Sequence, residues 1–217
     1  MEYAISLRFP RKSHRKAVRL PPRSARLAEF IGIMFGDGGI NNLWQANVTL
    51  NSVADATYVD YVADLMHELF GIRPAVRARA NRRATVVSLA STSVVDFLVE
   101  QGLPRGNKLS HGLAIPAWIL ERKKYKIACV RGLVDTDGCL IRHVHRVGGG
   151  TYRHTYLSFS SGSPELLGQF AGIVAGLGMT PCFAKNGREV WLYSARDVEK
   201  YLRVVGSSNE RISKAEK

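Results

Sequence analysis

The sequence contains few cysteines, few acidic residues and no long apolar run. Its three cysteines, Cys129, Cys139 and Cys182, are odd in number and lack the spacing of metal ligands, so we expect neither a disulfide framework nor a zinc site. No segment approaches the roughly 18 uncharged apolar residues of a membrane-spanning helix. Residues 1–9 run into arginine and lysine without the apolar core of a signal peptide. We therefore predict an intracellular protein (cytoplasmic, nucleoid or organellar) that is not secreted and has no membrane partner.

Basic residues dominate the charge of the chain. The 217 residues include 31 Lys and Arg against 18 Asp and Glu, which gives a formal net charge of +13. Such an excess predicts a polyanionic partner, with nucleic acid as the first choice and a membrane surface as the second. The hydrophobic fraction of 46% is enough to bury a sizeable core, in one compact domain or two small ones.

An internal repeat favours two units. Segment 28–38 (AEFIGIMFGDG) recurs in register as segment 128–138 (ACVRGLVDTDG). Both copies have a small residue at every fourth position, which on a helix forms a bare stripe where two backbones can approach closely. An Asp-Gly pair then ends each helix, where the helix dipole favours a cation. If the two stripes pack on each other, Asp37 and Asp137 come together as a paired-carboxylate site.

The repeated segments resemble the two signature helices of the LAGLIDADG homing endonucleases, in the single-chain form with two motifs. The second copy, residues 130–138 (VRGLVDTDG), is the nearer match, and the first departs from the pattern at Phe30, Ile31 and Phe35. Segments 106–110 (GNKLS) and 115–119 (IPAWI) resemble the bridge that leads into the second helix in that family. The resemblance implies two saddle-shaped sheets that meet at the signature helices.

The periodicity of the rest of the chain predicts the same α+β fold. Each half has the order αββαββα, with a four-stranded antiparallel sheet backed by helices, and the two pseudo-symmetric halves meet at the signature helices. Ser24 is a predicted N-cap of the first signature helix, and Asn186-Gly187 predicts a hairpin turn. We expect a basic N-terminal arm at 1–23, a first half at 24–103, a linker at 104–123 and a second half at 124–217.

The arm carries eight Lys and Arg within residues 1–26 against one acid, Glu2. It either lies along phosphates, which would make binding salt-dependent, or is a solvated leader.

Basic strands predict a surface for double-stranded DNA. Arg77 and Arg79 share one face of a strand, whereas Val76 and Ala78 take the other, which gives a sheet with a cationic upper face and an apolar underside. Two-stranded ribbons fit the major groove, and pseudo-twofold symmetry predicts a long, imperfectly palindromic site. For any single residue the alternative is a solvated strand face or a phosphate contact without sequence preference. The candidate DNA-binding residues are Arg77, Arg79, Arg82, Arg83, Arg142, His143, His145, Arg146, Arg153, His154, Lys185 and Arg188.

The paired aspartates predict a divalent-cation site, with magnesium (Mg2+) as the expected ion. Asp37 and Asp137 each supply one anionic ligand, and the carbonyls of Gly36 and Thr136 are further oxygen ligands. A single Asp-Gly pair would be an ordinary turn. Two copies in register favour the metal site.

The family resemblance implies further site residues. Lys108 and Lys214 match the basic residue near the attacking water or scissile phosphate, and Asn51 and Ser160 match the polar groups that position solvent. Asp135 has no acidic counterpart in the first copy, so we expect it to hydrogen-bond locally.

The resulting hypothesis is a monomeric, free-standing homing endonuclease, encoded within an intron, that makes a staggered break in both DNA strands. An intein is disfavoured because the sequence given neither opens on Cys, Ser or Thr nor closes on His-Asn. The alternative is a binding protein of the same fold, either an RNA maturase that acts on intron RNA or a non-cleaving DNA-binding protein, and the changed first helix favours it. A membrane-surface protein has no specific feature in its favour.

Overall fold

Two copies of one element order build the structure, a computed structural model that describes residues 17–80, 82–147 and 150–213. The elements of the first half are α1 (Ala25–Gly36), β1 (Gly38–Asn42), β2 (Gln45–Asn51), α2 (Ala56–Phe70), β3 (Ala75–Ala78), β4 (Ala84–Ala90) and α3 (Thr92–Glu100). A 3-10 helical turn (Lys108–His111) and α4 (Ala117–Leu120) follow. The elements of the second half are α5 (Lys123–Asp137), β5 (Gly138–Val147), β6 (Gly150–Ser160), α6 (Pro164–Gly176), β7 (Cys182–Phe183), β8 (Glu189–Leu192), α7 (Ala195–Val204) and α8 (Glu210–Ser213).

Each half forms one four-stranded antiparallel sheet. The strand orders are β1-β2-β4-β3 and β5-β6-β8-β7, so the two sheets have the same topology. The predicted α+β fold of two αββαββα halves is thereby confirmed. Residues 38–42 form β1 although they contain no run of β-branched or aromatic residues. A Cβ on Gly38 would lie 2.4 Å from the Met34 Cα, so glycine is needed where the chain turns back past α1.

The small-residue stripes of α1 and α5 pack directly on each other, as the repeat predicts. A Cβ built on Gly32 would lie 2.2 Å from the Cys129 carbonyl oxygen, and one on Gly132 would lie 2.3 Å from the Glu29 carbonyl oxygen. Real Cβ atoms do not approach backbone this closely, so the two helices touch through their main chains. We call this contact the seam.

Serine side chains begin three helices at the positions where the first turn leaves backbone N–H groups unpaired. The hydroxyl oxygens of Ser24, Ser91 and Ser163 accept from the amides of Leu27 (3.2 Å), Val94 (3.4 Å) and Leu166 (3.3 Å). The predicted N-cap at Ser24 is thus confirmed. Behind the sheets the helices bury aromatic side chains, among them Phe30, Phe70, Phe159 and Phe170.

The described part of the predicted basic arm lies against the protein. The Arg19 amide donates to the Phe70 carbonyl oxygen (2.9 Å), and the Arg23 guanidinium lies 5.5 Å from the centre of the Trp118 ring. The Tyr125 hydroxyl donates to the Arg23 carbonyl oxygen (2.9 Å). Residues 1–16, with most of the arm's basic side chains, lie outside the described residues.

The longest helices of the described chain, α2 and α5, have 15 residues each. None of the described helices combines the length and the apolar character that crossing a bilayer requires.

Candidate active site

The seam brings the two predicted aspartates together. Asp37 follows the last residue of α1, and Asp137 is the last residue of α5. An Asp137 carboxylate oxygen lies 3.2 Å from the position that a Cβ on Gly36 would take, which is next to Asp37. Asp37 is half-buried, whereas Asp137 is exposed to solvent.

The electrostatics of the pair favour a cation. Loss of hydration, together with the smaller effect of the negative charges of Asp137 and Asp55, raises the pKa of Asp37 to about 6. Loss of hydration also raises the pKa of Asp137 to about 6, against the lowering effect of nearby Lys108 and Arg211. Because Asp137 keeps contact with solvent, water screens its charge more than that of half-buried Asp37. At neutral pH both carboxylates are ionised, although their surroundings disfavour the charged form. A bound cation would offset this unfavourable free energy.

Lys108 closes the end of α1. Its ammonium donates to the carbonyl oxygens of Met34 (3.2 Å), Phe35 (2.9 Å) and Gly36. The last carbonyls of a helix have no partner within the helix, so a cation satisfies both their hydrogen bonding and the helix dipole. Burial lowers the pKa of Lys108, whereas the paired aspartates raise it. The predicted lysine therefore lies beside the acids.

Arg211 closes the end of α5 in the same way. Its Nη1 donates to the carbonyl oxygen of Gly138 (2.6 Å), and its Nη2 donates to those of Asp135 (3.1 Å) and Thr136 (3.0 Å). Its Nε donates to the Asp55 carboxylate (3.1 Å). The position opposite Lys108 in this pseudo-symmetric site is thus taken by an arginine that sequence reasoning did not select.

Lys214, the residue predicted for that role, lies outside the described residues. A signal for Arg211 was present in the spacing: Lys108 follows Asp37 by 71 positions and Arg211 follows Asp137 by 74. Residue type alone points to Lys214, which follows Asp137 by 77 positions, whereas charge and spacing together point to Arg211.

Residues 207–211, which we call the C-terminal clasp, hold Arg211 in place. The amide of buried Asn209 donates to the Asp55 carboxylate (2.7 Å) and to the Asp135 carbonyl oxygen (2.9 Å). Its side-chain oxygen accepts from the Arg211 amide (3.0 Å). Since Asp55 precedes α2 of the first half, both halves contribute to the position of Arg211.

The clasp also satisfies buried carboxylates behind the site. Asp135 accepts hydrogen bonds from the Ser207 hydroxyl and the Ser208 amide (2.9 Å), and burial raises its pKa to about 7. This is the local bonding expected for Asp135. Glu29, on α1, accepts from the Ser208 hydroxyl (3.1 Å) and pairs with Arg131 (3.1 Å). The clasp thus joins both signature helices.

The remaining predicted site residues lie near the ends of equivalent strands. Asn51 ends β2, and its side-chain oxygen accepts from the amides of Val53 (2.9 Å) and Ala54 (3.0 Å) in the turn before α2. Ser160 ends β6. The carbonyls of Gly36 and Thr136, named as metal ligands, accept from Lys108 and Arg211.

Within the described residues there is no group of three or more His, Cys, Asp or Glu side chains that could hold a metal ion. The arrangement at the seam therefore offers two carboxylates, supplemented by main-chain oxygens.

The predicted basic surface of the first half lies on the open face of its sheet, opposite the helices. Arg77 pairs with Val86, and the Arg79 amide donates to the Ala84 carbonyl oxygen (2.9 Å), so both share the face of Thr49. Arg82 and Arg83 are exposed in the turn that follows. The underside is less covered at this edge than we expected, since Val76 is 48% exposed.

The second sheet distributes its predicted DNA-binding residues over two faces. His143 pairs with His154 on the open face. Arg142 pairs with Thr155, which lies on the opposite face of the sheet together with buried Leu157. Lys185 and Arg188 are exposed in the turn between β7 and β8. His145, Arg146 and Arg153 pair with Tyr152, Thr151 and Val144; the orientation of their side chains is outside the described structure.

Comparison with known proteins agrees with this geometry. Residues 124–209 match the LAGLIDADG-like domain. The tRNA-splicing ligase RtcB of Pyrococcus abyssi is 28% identical over 208 residues, which cover 88% of this chain and 21% of that protein. The chain thus spans about a fifth of the length of the first curated relatives it matches.

Two solved structures show the same fold. I-DmoI in complex with DNA and Mn has a TM-score of 0.58 at 18% identity, covering 85% of this chain and 98% of that one. Full-length DUF199/WhiA from Thermatoga maritima has a TM-score of 0.56 at 14% identity, covering 86% of this chain and 57% of that one. Residues 124–209 therefore match a LAGLIDADG-like domain, and the chain as a whole has the same fold as I-DmoI and DUF199/WhiA.

Proposed function

We propose that the protein is a site-specific DNA endonuclease that cuts both strands of a long, imperfectly palindromic duplex and leaves a staggered break. The observation that carries this proposal is the pair Asp37 and Asp137, placed side by side where two helices end between two sheets. One carboxylate from each half gives one reaction centre per strand. Because one chain supplies both, we propose that it acts as a monomer, in intron homing.

The donor set fits a hard divalent cation. Carboxylate and carbonyl oxygens are the ligands that Mg2+ prefers, and the pKa of Asp37 is raised because burial, followed by the charges of Asp137 and Asp55, disfavours its ionised form. A bound Mg2+ would lower the pKa of a coordinated water and neutralise charge on the phosphate. Asp37 and Asp137 are the proposed ligands, with the second lone pairs of the Gly36 and Thr136 carbonyls as additional donors.

Two cations of the chain flank these acids. Lys108 and Arg211 each lie at a helix end beside an aspartate, where their positive charge would stabilise negative charge that develops on the phosphate. Asn51 and Ser160 are proposed to hydrogen-bond solvent near the site. The basic strands would hold the duplex: each phosphate contact adds salt-dependent affinity.

A duplex library tests the proposal. Wild-type protein with Mg2+ is incubated with randomised duplexes, and the cut ends are sequenced strand by strand. We expect cleavage at a single long site. Asp37→Asn and Asp137→Asn should each keep binding and lose cleavage of one strand, so that a nicked product accumulates.

The matched control is Asp64→Asn, which removes the same charge from an exposed position on α2 and should cut like the wild type. Unimpaired cutting of both strands by both seam variants would contradict the assignment of the two acids.

A non-cleaving function is the second candidate, either an RNA maturase or a DNA-binding protein. The observation that favours it is that Lys108 and Arg211 already bond the carbonyls of Gly36 and Thr136, so the helix ends are satisfied without a metal ion. Phe30, Ile31 and Phe35 also depart from the signature pattern. Tight binding of intron RNA by a wild type that cuts no duplex would decide for the maturase.

A further inference from the structure

The open faces of the two sheets can be compared position by position. The Arg79 amide donates to the Ala84 carbonyl oxygen in the first sheet (2.9 Å), and the Ala184 amide donates to the Glu189 carbonyl oxygen in the second (2.9 Å). Asn51 pairs with Ala84, and Ser160 pairs with Glu189. These matching pairs fix the equivalence of the two sheets without any reference to residue type.

The equivalent positions differ sharply in chemistry. Arg77 and Arg79 of the first sheet correspond to Cys182 and Ala184 of the second, so the second sheet has no arginine at either position. Three small or polar residues become large aromatic ones. Asn47 and Val86 of the first sheet correspond to Tyr156 and Trp191 of the second. Ser88 corresponds to Tyr193, which lies one residue past the end of β8 and contacts Tyr156.

The aromatic residues of the second open face, His154, Tyr156, Trp191 and Tyr193, form one contiguous cluster that we call the aromatic platform. The Trp191 and Tyr193 rings stack at 5.5 Å with 3° between their planes. Tyr156 meets Tyr193 edge to face at 5.6 Å and stacks on His154 at 6.0 Å. Tyr193 remains 51% exposed, so the platform faces solvent.

Charges around the platform suit a DNA partner. Lys185 and Arg188 at the β7–β8 turn and Arg196 at the start of α7 are exposed. The carboxylate of Glu189 accepts from the Trp191 indole N–H (3.1 Å), which fixes the orientation of that ring. These three cations lie around the platform, where they could contact the phosphates of a duplex. The aromatic rings between them could then contact apolar groups in the groove.

Only thymine presents a methyl group in the major groove, whereas guanine presents the two acceptors that arginine recognises. We propose that the aromatic platform recognises a thymine-rich half-site through the 5-methyl groups of its bases, while Arg77 and Arg79 contact guanines in the other half-site. This inference rests on the duplex binding proposed above and names its specificity.

The test separates binding from cleavage. The full chain, in a chelator, selects duplexes from a randomised library, and the selected sites are sequenced. One half-site should be rich in A·T pairs. Uracil, which differs from thymine only by the missing methyl, then replaces thymine in that half-site. We expect affinity to fall about fourfold per contacted base, the value of one buried methylene group.

Uracil in the other half-site is the first control and should change nothing. The second control is the triple variant Tyr156→Asn, Trp191→Val and Tyr193→Ser, which installs the residues of the first sheet. It should bind weakly and equally to thymine and uracil duplexes. If the triple variant unfolds at a lower temperature than the wild type, Tyr193→Ser alone gives the same comparison at an exposed site.

Equal binding of thymine and uracil duplexes by the wild type would overturn the inference and leave duplex recognition intact. Undiminished discrimination in the variants would overturn it as well. Failure to select any duplex, or selection of RNA instead, would remove the proposed function and the inference together.

Discussion

The two halves of the molecule repeat their backbone but not the side chains that complete it. In the first half the carbonyls at the end of α1 are bonded by Lys108, which comes from the segment after α3. In the second half the carbonyls at the end of α5 are bonded by Arg211, which comes from the clasp after α7. The comparison teaches that a positive charge at the helix end is kept while the residue that supplies it differs.

The halves also differ in how firmly that charge is held. Asn107 and Asn209 make the same turn, because each accepts from the amide two residues later (3.1 Å and 3.0 Å). Asn107 is exposed, whereas Asn209 is buried and bonds Asp55 of the other half. The second centre is therefore built from both halves.

The largest effect is expected at the seam, where the halves are most alike. Gly32→Ala and Gly132→Ala should each lower the free energy of unfolding by about 3 kcal/mol or more, because the new methyl would overlap main-chain atoms. Urea unfolding measures this. Gly172→Ala on α6 is the control: nothing lies within 4 Å of its Cβ position, so it should stabilise by roughly 0.5 to 1 kcal/mol. Strongly unequal losses at the two seam glycines would show that the packing is not symmetric.

The second-largest effect is expected from removing Lys108 or Arg211, and it concerns the rate of cleavage. Lys108→Ala and Arg211→Ala should each slow cleavage of one strand about 100-fold, as loss of one charge-stabilising donor does. Single-turnover rates on strand-labelled duplexes measure this. Arg211→Lys and Lys108→Arg should recover part of the rate if charge is what matters. Equal slowing of both strands by either variant would argue against one cation per centre.

The matched asparagines test the coupling between the halves. Asn209→Ala should cost about 2 kcal/mol of unfolding free energy, because it leaves the buried Asp55 carboxylate and Asp135 carbonyl with one partner fewer. Asn107→Ala removes the equivalent turn at an exposed position and should cost about 0.5 kcal/mol. Similar losses from the two variants in urea unfolding would mean that the clasp is no more important than the linker.

The smallest expected effect is the pH dependence that Asp37 gives to the free energy of unfolding. The folded pKa of Asp37, about 6, lies above its unfolded value near 4, so the native state binds more protons between these pH values. Stability of the metal-free protein should fall as pH rises through this window. Asp37→Asn should therefore be more stable than wild type by roughly 1 to 2 kcal/mol at pH 8, after allowance for solvent screening, and the difference should vanish near pH 4.

Unfolding in a chelator at both pH values measures the difference. Asp64→Asn, at an exposed position of α2, should show no such dependence. A wild type that is the more stable of the pair at pH 8 would contradict the raised pKa.

Sequence patterns predict the contacts that follow from the regular repeat of a helix or a strand. The four-residue spacing of Ala28, Gly32 and Gly36 predicted a close helix contact, and the Asp-Gly pair after it predicted that the two acids would meet. Alternation predicted that Arg77 and Arg79 would share a face. Each of these inferences depends only on the repeat of a helix or strand.

The clasp could not be found in this way, because a short segment held by side-chain hydrogen bonds has no period. Asn107-Lys108-Leu109 and Asn209-Glu210-Arg211 place their basic residues one position apart, so aligning like residues missed Arg211. The face of Arg142 was also missed, since it depends on the register of β5 with β6.

The C-terminal clasp sets an order for assembly during synthesis. Arg211 leaves the ribosome after every other residue that we place at the two reaction centres within the described chain. Asp55 is therefore translated long before its partner Arg211, and the end of α5 remains without its guanidinium until the second half has been translated and packed. A chain that ends before residue 211 therefore leaves the carbonyl oxygens of Asp135, Thr136 and Gly138 without the cation that bonds them.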